Sequence, residues 1–526
     1  MKKLNQEETP FLTSVTEYIG KKVVPFDVPG HHMGNMDSAL KNCLGKKVFE
    51  FDINAPIGLD NLAHPAGVLK AAEDLMAQAT GADNAFFLIN GTSSGILAML
   101  LTVCKAEDKI ILPRNVHKSI INGLILSGAA PIFVMPTIDM ELEIANQPTL
   151  DDYKKAIIKY PSAKAVFVIN PTYFGAVADL ANLVKFAHAH NVTVLVDEAH
   201  GAHFYFSETG PRSAMDCGAD MTAISFHKTA GSLTQSSVLL QQGNRVTADA
   251  IQRVLNMINT TSPSSILMAS LDSARQYMAL HGREAMKYTF ELVDYAIKKI
   301  DNIKGFIVCN EKHFWKKGCY DYDRTKLVLE LDKISLSGFE VYYKLKKEYG
   351  VQIELAETYA LLCIITAGTT KAHINALAKA LNAISKQYYS RQLAYPRHSF
   401  SVKFPFQLLR PRLAFDAPNK CVNINDAEYQ VSNESIMIYP PGIPLIIPGE
   451  VFTPTLIKRI KNYKKTGVTI LSHYDNGNVD IVNLENWRKY KFAEIKLKEY
   501  EMNHLISPRS DDYIAPFEGK EHQGTL

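Results

Sequence analysis

The chain has 526 residues, 57 Lys and Arg against 54 Asp and Glu, a formal net charge of +3, and 47% hydrophobic residues. This length allows two to four domains, the near-balance of charge argues against the basic patch of a dedicated nucleic-acid binder, and no apolar run approaches the roughly 20 residues of a membrane span. Seven cysteines at 43, 104, 217, 309, 319, 363 and 421 form no C-x-x-C pair, which predicts reduced thiols in a cytoplasm, with neither a disulfide framework nor a metal site. The opening MKKLNQEETPFLTSVTEYIG has two lysines and no apolar core behind them, so it does not read as a secretory signal.

Further along, strands and helices alternate. Residues 66–79 (AGVLKAAEDLMAQA) carry an amphipathic helical period. Residues 85–89 (AFFLI) read as a strand running into the Asn90-Gly91 turn, and 95–104 as a buried helix. Strands follow at 109–112, 131–135, 165–169 (AVFVI), 193–196 (TVLV) and 221–225, with helices at 117–127, 150–159 and 181–190 between them. Apolar strands separated by helices of about ten residues mean βαβ units: an α/β fold with a mostly parallel sheet covered on both faces. Beyond it, a long amphipathic helix at 284–300, strands at 326–331, 351–355 and 361–366, and a helix at 371–387 predict a smaller α/β domain. Residues 388–400 read as a linker, and the polar tail from about 507 as flexible. The expected division is an N-terminal arm 1–28, a large domain 29–275, a small domain 276–390 and a C-terminal domain 391–526.

Ligands of such sheets bind at the carboxyl ends of the strands. The residues there are Asn90-Gly91-Thr92-Ser93-Ser94-Gly95, Arg114 to Lys118, Asn170 to Tyr173, Asp197 to His200, and Phe226-His227-Lys228. The first stretch opens a helix, whose free N–H groups and positive dipole end, joined by hydroxyls, make a phosphate cradle. Ser and Thr also serve there as plain caps, and the stretch is no P-loop, because Gly-x4-Gly-Lys is missing. Asp197 follows four apolar residues, so its carboxylate is desolvated and needs a metal, an arginine or a protonated heterocyclic nitrogen. His117 can stack on a flat ring or simply be a satisfied core histidine. Lys228, near a desolvated pocket, is suited to an imine. Cradle, aspartate and lysine together have one economical explanation, pyridoxal 5'-phosphate: lysine on the aldehyde, aspartate on the pyridine nitrogen, cradle on the phosphate.

With PGHH (29–32), GLDNLAHP (58–65), NGTSSG, RNVHKS, NPTYFG, VDEAHGAHF, SFHKTAGSLTQSS, TTSPSS (260–265) and YPPGIPLIIPGE (439–450) in this order, the chain resembles the ornithine/lysine/arginine decarboxylase family. That resemblance implies a fold-type-I, aspartate aminotransferase-like architecture with a mostly parallel seven-stranded large-domain sheet, a small α/β domain and a C-terminal α+β domain. It implies Lys228 as the lysine bound to the cofactor, Asp197 on the pyridine nitrogen, His117 stacked on one ring face and Ala199 on the other. Thr92, Ser93, Ser94, Ser225 and His227 would surround the phosphate and imine, and Thr172 the ring hydroxyl. Thr260, Thr261 and Ser262 would reach the phosphate of a neighbouring subunit, which requires at least a homodimer. Glu354 and Glu450 are candidates for the distal cation of a basic amino acid, and His227 and His200 for proton transfer. Larger members carry an N-terminal wing before PGHH, where this sequence has about 28 residues, and often Trp at position 200; the short form is the better match.

The expected reaction is decarboxylation of a basic amino acid, with arginine ahead of lysine and ornithine. An aminotransferase would share Lys228 and Asp197 and need an arginine for the α-carboxylate, for which Arg391 and Arg397 are available. A cofactor-free binding protein would have no use for the lysine, aspartate and cradle together, and a nucleotide switch would need a Walker pattern.

Overall fold

Apolar runs without alternation become interior strands. In the computed structural model, which describes residues 3–54, 56–316, 319–390, 404–439, 443–465 and 469–485, β1 (Asn84–Leu88), β2 (Lys109–Pro113), β3 (Ala130–Val134), β4 (Ala165–Ile169), β5 (Thr193–Asp197), β6 (Met221–Ile224) and β7 (Ser237–Gln241) form a seven-stranded sheet. Its order is β1-β7-β6-β5-β4-β2-β3. Neighbours from β6 through β3 pair in parallel. β7, a strand the sequence pattern did not disclose, runs antiparallel between β1 and β6. Every residue of β4 is buried, as a strand covered on both faces must be. Val166 and Val168 join one hydrophobic core, while Ala165, Phe167 and Ile169 join the other.

The flanking helices start where side-chain chemistry lets them. α1 (Pro10–Gly20) belongs to the expected N-terminal arm, yet it is docked: Phe11 and Val15 are buried, and the Phe11 and Leu12 N–H groups donate to Asp272 at 3.0 and 3.2 Å. α2 (Val68–Thr80), α3 (Gly91–Val103), α4 (Lys118–Ser127), α5 (Leu150–Lys159) and α6 (Leu180–Ala189) intervene between strands. α5 is capped by Thr149, which accepts the Asp152 N–H, with Asp151 and Asp152 in its first turn and Lys159 in its last, the polarity its dipole favours. α3 starts earlier than expected, taking the cradle stretch into its first turn. It lies so close to the sheet that a Cβ on Gly95 would meet the Leu88 side chain at 2.7 Å and Ala223 at 3.1 Å.

After a one-turn helix, α7 (Phe226–Thr229), and α8 (Ala248–Ile258), the chain enters α9 (Ser265–Ile300), 36 residues long. The boundary expected at 275/276 falls inside this helix, which is shared by the large and small domains. β8 (Phe306–Cys309), β9 (Lys326–Leu331), β10 (Leu355–Ala356) and β11 (Ala360–Ile364) make a four-stranded antiparallel sheet, order β8-β9-β11-β10. The strand expected at 351–355 shrinks to β10. α10 (Gly338–Tyr349), held by a Ser337/Glu340 capping box, and α11 (Lys371–Tyr388) complete the small domain. Asp321–Tyr322 reaches across to pair with Ala176–Val177 of the large domain. The last segment packs a helix, Pro454–Lys465, with Ile436–Tyr439, Ile443–Ile446 and Thr469–Leu471 in one sheet and Asn419–Asn423 with Asn478–Val482 in another. Arg391, Arg397, most of the expected linker and the tail from 507 lie outside the described residues. No described helix is long and apolar enough to cross a membrane.

Candidate active site

One edge of the large sheet gathers the chemistry. β5 ends in Asp197, and the turn after it carries Ala199 and His200. β6 ends at Ile224; Ser225 then starts α7, which projects Lys228. The first turn of α3 faces them, opened by Gly91 at φ +68°. Thr92, Ser93, His117, Asp197, Ala199, His200, Ser225, His227 and Lys228 line one cavity, together with Pro171, Tyr173 and Gln235.

Lys228 is the centre of it. Its Nζ lies 3.0 Å from His200 Nε2 and 5.6 Å from the centroid of the Tyr173 ring. Tyr173 and His200 in turn contact each other, ring centres 4.7 Å apart. Burial lowers the Lys228 pKa, Asp197 and then Glu354 work against that, and Lys326 adds to it. Burial, reinforced first by Lys228, drives the His200 imidazole well below its ordinary value, so His200 is neutral and its Nε2 can accept a hydrogen bond from the Lys228 ammonium. His117 is pushed down to about 4 by burial and then by Lys228. Its Nδ1 accepts the Ser119 N–H at 3.3 Å, which fixes a neutral ring. His227 is also lowered by burial, and its Nδ1–H donates to the Ser236 carbonyl at 2.8 Å.

Asp197 is nearly sealed from solvent, at 5% exposure. Burial raises its pKa, while the Ala199 N–H, donated at 3.1 Å, and the charge of Lys228 pull it back. No cation pairs with it among the described residues. A buried carboxylate in that state gains from an arriving protonated nitrogen. Across the cavity, the Thr92 hydroxyl bonds Ser225 and, at 3.1 Å, Ser237. These hydroxyls with the α3 terminus suit an anionic group. The ensemble fits one ligand that is anionic at one end, cationic at a ring nitrogen and carbonyl-like between. The buried His200 Nδ1 has no partner of its own in the structure.

Several expected residues stand elsewhere. Ser94 turns its hydroxyl back to the Gly91 carbonyl at 2.8 Å and does not line the cavity. The Thr172 hydroxyl accepts the Ala176 N–H at 3.1 Å and faces a different cavity; Tyr173 takes the place at Lys228. Glu450 is a correction. Its two oxygens take Arg114 Nε and Nη2 at 2.8 and 2.6 Å, and the Ile447 N–H donates to it at 2.9 Å. Both side chains are fully buried, so this carboxylate is spent within the chain. Glu354 is exposed on the small domain, among residues that include Gln352 and His373. Thr260, Thr261 and Ser262 are exposed and outside the cavity of their own chain.

Sequence reasoning missed Tyr173 and Gln235, although both lie inside quoted motifs; an aromatic ring directly after a strand end was the available signal. It also missed a buried cluster behind His200, formed by His203, Asp323 and Lys326. For Lys326 the signal was a lysine opening a strand directly before the apolar run Leu327-Val328-Leu329, three residues after an aspartate.

Comparison with known proteins agrees with this geometry. The model for the Orn/Lys/Arg decarboxylase major domain matches residues 9–373, and that for the C-terminal domain of the same family matches 402–469. The chain is 39% identical over 475 residues to an arginine decarboxylase of Bacillus subtilis (strain 168), covering 90% of this chain and 97% of that one. It is 39% identical over 473 residues to an arginine decarboxylase of Halalkalibacterium halodurans, covering 90% and 96%. A solved structure of lysine decarboxylase A from Pseudomonas aeruginosa shares the fold with a TM-score of 0.79 at 22% identity, covering 90% of this chain and 80% of that one. With its fold-type-I α/β architecture and this cavity, the chain belongs to the Orn/Lys/Arg decarboxylase family.

Proposed function

We propose that the protein decarboxylates arginine to agmatine with pyridoxal 5'-phosphate as cofactor, lysine and ornithine being poorer substrates. The observation that carries the reading is the meeting of buried Lys228 with the uncompensated Asp197 carboxylate in one cavity. The preference for arginine rests on the similarity to arginine decarboxylases along almost their whole length.

Bound there, the cofactor supplies an electron sink for the charge left on the substrate α-carbon when CO2 departs. The chain's residues do the rest. Burial lowers the Lys228 pKa and so favours the neutral amine that a carbonyl carbon requires. Asp197 would keep a ring nitrogen protonated, Thr92, Ser93 and Ser225 would hold the phosphate, and His117 and Ala199 would flank the ring. His200 and Tyr173 wall the cavity with a neutral imidazole and a phenol ring, which exclude water from a departing carboxylate. Lys228, hydrogen-bonded to His200 across 3.0 Å, delivers its proton to the α-carbon. His227, tied to Ser236, holds the turn that carries Lys228.

Glu354 is assigned the distal guanidinium, because a guanidinium needs a carboxylate and its charge is already felt at Lys228. Thr260, Thr261 and Ser262 are assigned to a neighbouring subunit's phosphate, so the working unit is at least a homodimer in the cytoplasm. Exposed Val24, Phe26 and Ile57, at 74%, 93% and 103%, support a covered N-terminal surface in such an assembly.

The test is CO2 release from arginine, lysine and ornithine by cofactor-loaded protein, with Lys228→Ala as control. Arginine should be fastest, and Lys228→Ala should lose the visible band and at least about a thousandfold in rate. A protein that stays colourless with added cofactor, or one that transfers the amino group to a keto acid without releasing CO2, overturns the reading.

A further inference from the structure

The small domain grips both active-site loops with a single stretch of chain. Asp321–Tyr322 pairs with Ala176–Val177, and the Asp323 N–H donates to the Gly175 carbonyl at 2.8 Å. Gly175, at φ +91°, is so tightly enclosed that a Cβ there would lie 2.8 Å from the Tyr322 ring and 3.0 Å from Lys326 Cγ. Two residues before Gly175 stands Tyr173. The second loop is held through charges. Asp323 Oδ1 accepts from His203 Nε2 at 3.1 Å and from the Thr325 hydroxyl at 2.7 Å. Lys326 Nζ lies 3.3 Å from Asp323 Oδ2 and donates to the His200 carbonyl at 3.5 Å. Lys326, Asp323 and His203 are 1%, 0% and 2% exposed. A desolvated ion pair is a poor stabiliser, since apolar residues of similar volume pack at least as well. Its placement, directly behind the pair formed by His200 and Lys228, marks another use.

We propose that Lys326, anchored by Asp323, is a positioning residue for decarboxylation: it fixes the turn bearing His200 and sets the charge felt by the His200–Lys228 pair. This rests on the reading of Lys228 as the reactive lysine. The groups facing Lys228 are Asp197 and Glu354, which favour its protonated form, and Lys326, which opposes it. Those facing His200 are Lys228, Lys326, His117 and His203, and all disfavour its charged form. Because Lys326 comes from the small domain, this setting exists only while the two domains are engaged.

The test is a pH titration of the visible absorbance of cofactor-loaded protein without substrate, with folding checked by thermal melting. Lys326→Met should move the midpoint up by about one pH unit, since a nearby positive charge is lost. Lys326→Arg, which keeps the charge, should stay within about 0.3 unit of wild type. In Lys326→Met, kcat with arginine should fall about tenfold or more with KM changed less than about threefold, because the residue acts on the reacting pair and touches no substrate. If Lys326→Met does not fold, Lys326→Gln, which retains a donor for the His200 carbonyl, carries the same prediction. An unmoved midpoint, or an equal shift in the Arg variant, overturns the proposal. Absence of a visible band in the wild type would instead sink the reading of Lys228 itself.

Discussion

Two buried carboxylates in this chain follow opposite logic. Glu450 is fully enclosed, and its oxygens are taken by Arg114 and the Ile447 N–H. Arg114 is further held by the Pro444 carbonyl at 3.1 Å and lies 5.6 and 5.2 Å from the ring centres of Phe133 and Phe404. This pair stitches the large domain to the C-terminal segment. Asp197 is almost as buried, yet no cation pairs with it among the described residues, and burial pushes the lysine whose charge it feels toward its neutral form. A buried charge neutralised within the chain is structural. A buried charge left without its counter-ion marks where a ligand must supply one.

Substitutions test that difference. Asp197→Asn should lower CO2 release about a hundredfold or more and weaken cofactor retention, while cofactor-free protein melts no lower than wild type, because a desolvated charge has been removed. A clear loss of cofactor-free stability would move Asp197 into the structural class. Glu450→Ala should do the reverse: leaving Arg114 buried and unpaired costs about 3–5 kcal/mol, read as a lower denaturant midpoint, with cofactor binding kept in whatever fraction folds. Replacing the pair by Arg114→Met and Glu450→Leu should recover most of the loss.

A third carboxylate sharpens the contrast with a smaller effect. Glu73, on the buried face of α2, accepts the Phe87 N–H at 2.9 Å, and burial pushes its pKa up to about 8. Folded protein therefore holds this proton where unfolded chain has released it. Stability associated with Glu73 is complete below the ordinary carboxyl range and is lost as pH rises through about 8. The melting temperature should decline over that interval, and Glu73→Gln should flatten the decline.

The core of the site was legible because its signals are local. Lys228, His227 and Ser225 lie within four positions, Asp197, Ala199 and His200 likewise, and strand ends in a βαβ pattern predict that such stretches converge. Helix phase was not legible: Ser93 and Ser94 are adjacent, yet only the first faces the cavity. Nor was loop shape, which brings Tyr173 and not Thr172 to Lys228. Glu450 was misassigned because its partner, Arg114, stands 336 residues away in sequence, and a pairing at that distance leaves no trace in spacing. His203 and Asp323, separated by 120 residues, escaped for the same reason. β7 was missed because a single antiparallel strand interrupts a parallel pattern without changing its period.

By itself, then, the order of apolar periods and motif residues determined the α/β class and the sheet edge at which Lys228 and Asp197 meet, since each depends on backbone periodicity or on neighbours a few positions apart. Only the tertiary structure decided which buried charges are neutralised within the chain and which await a ligand. Desolvation and ion pairing depend on what surrounds a group in space, and for Glu450, Asp323 and Lys326 the decisive surroundings come from distant segments that meet when the domains pack.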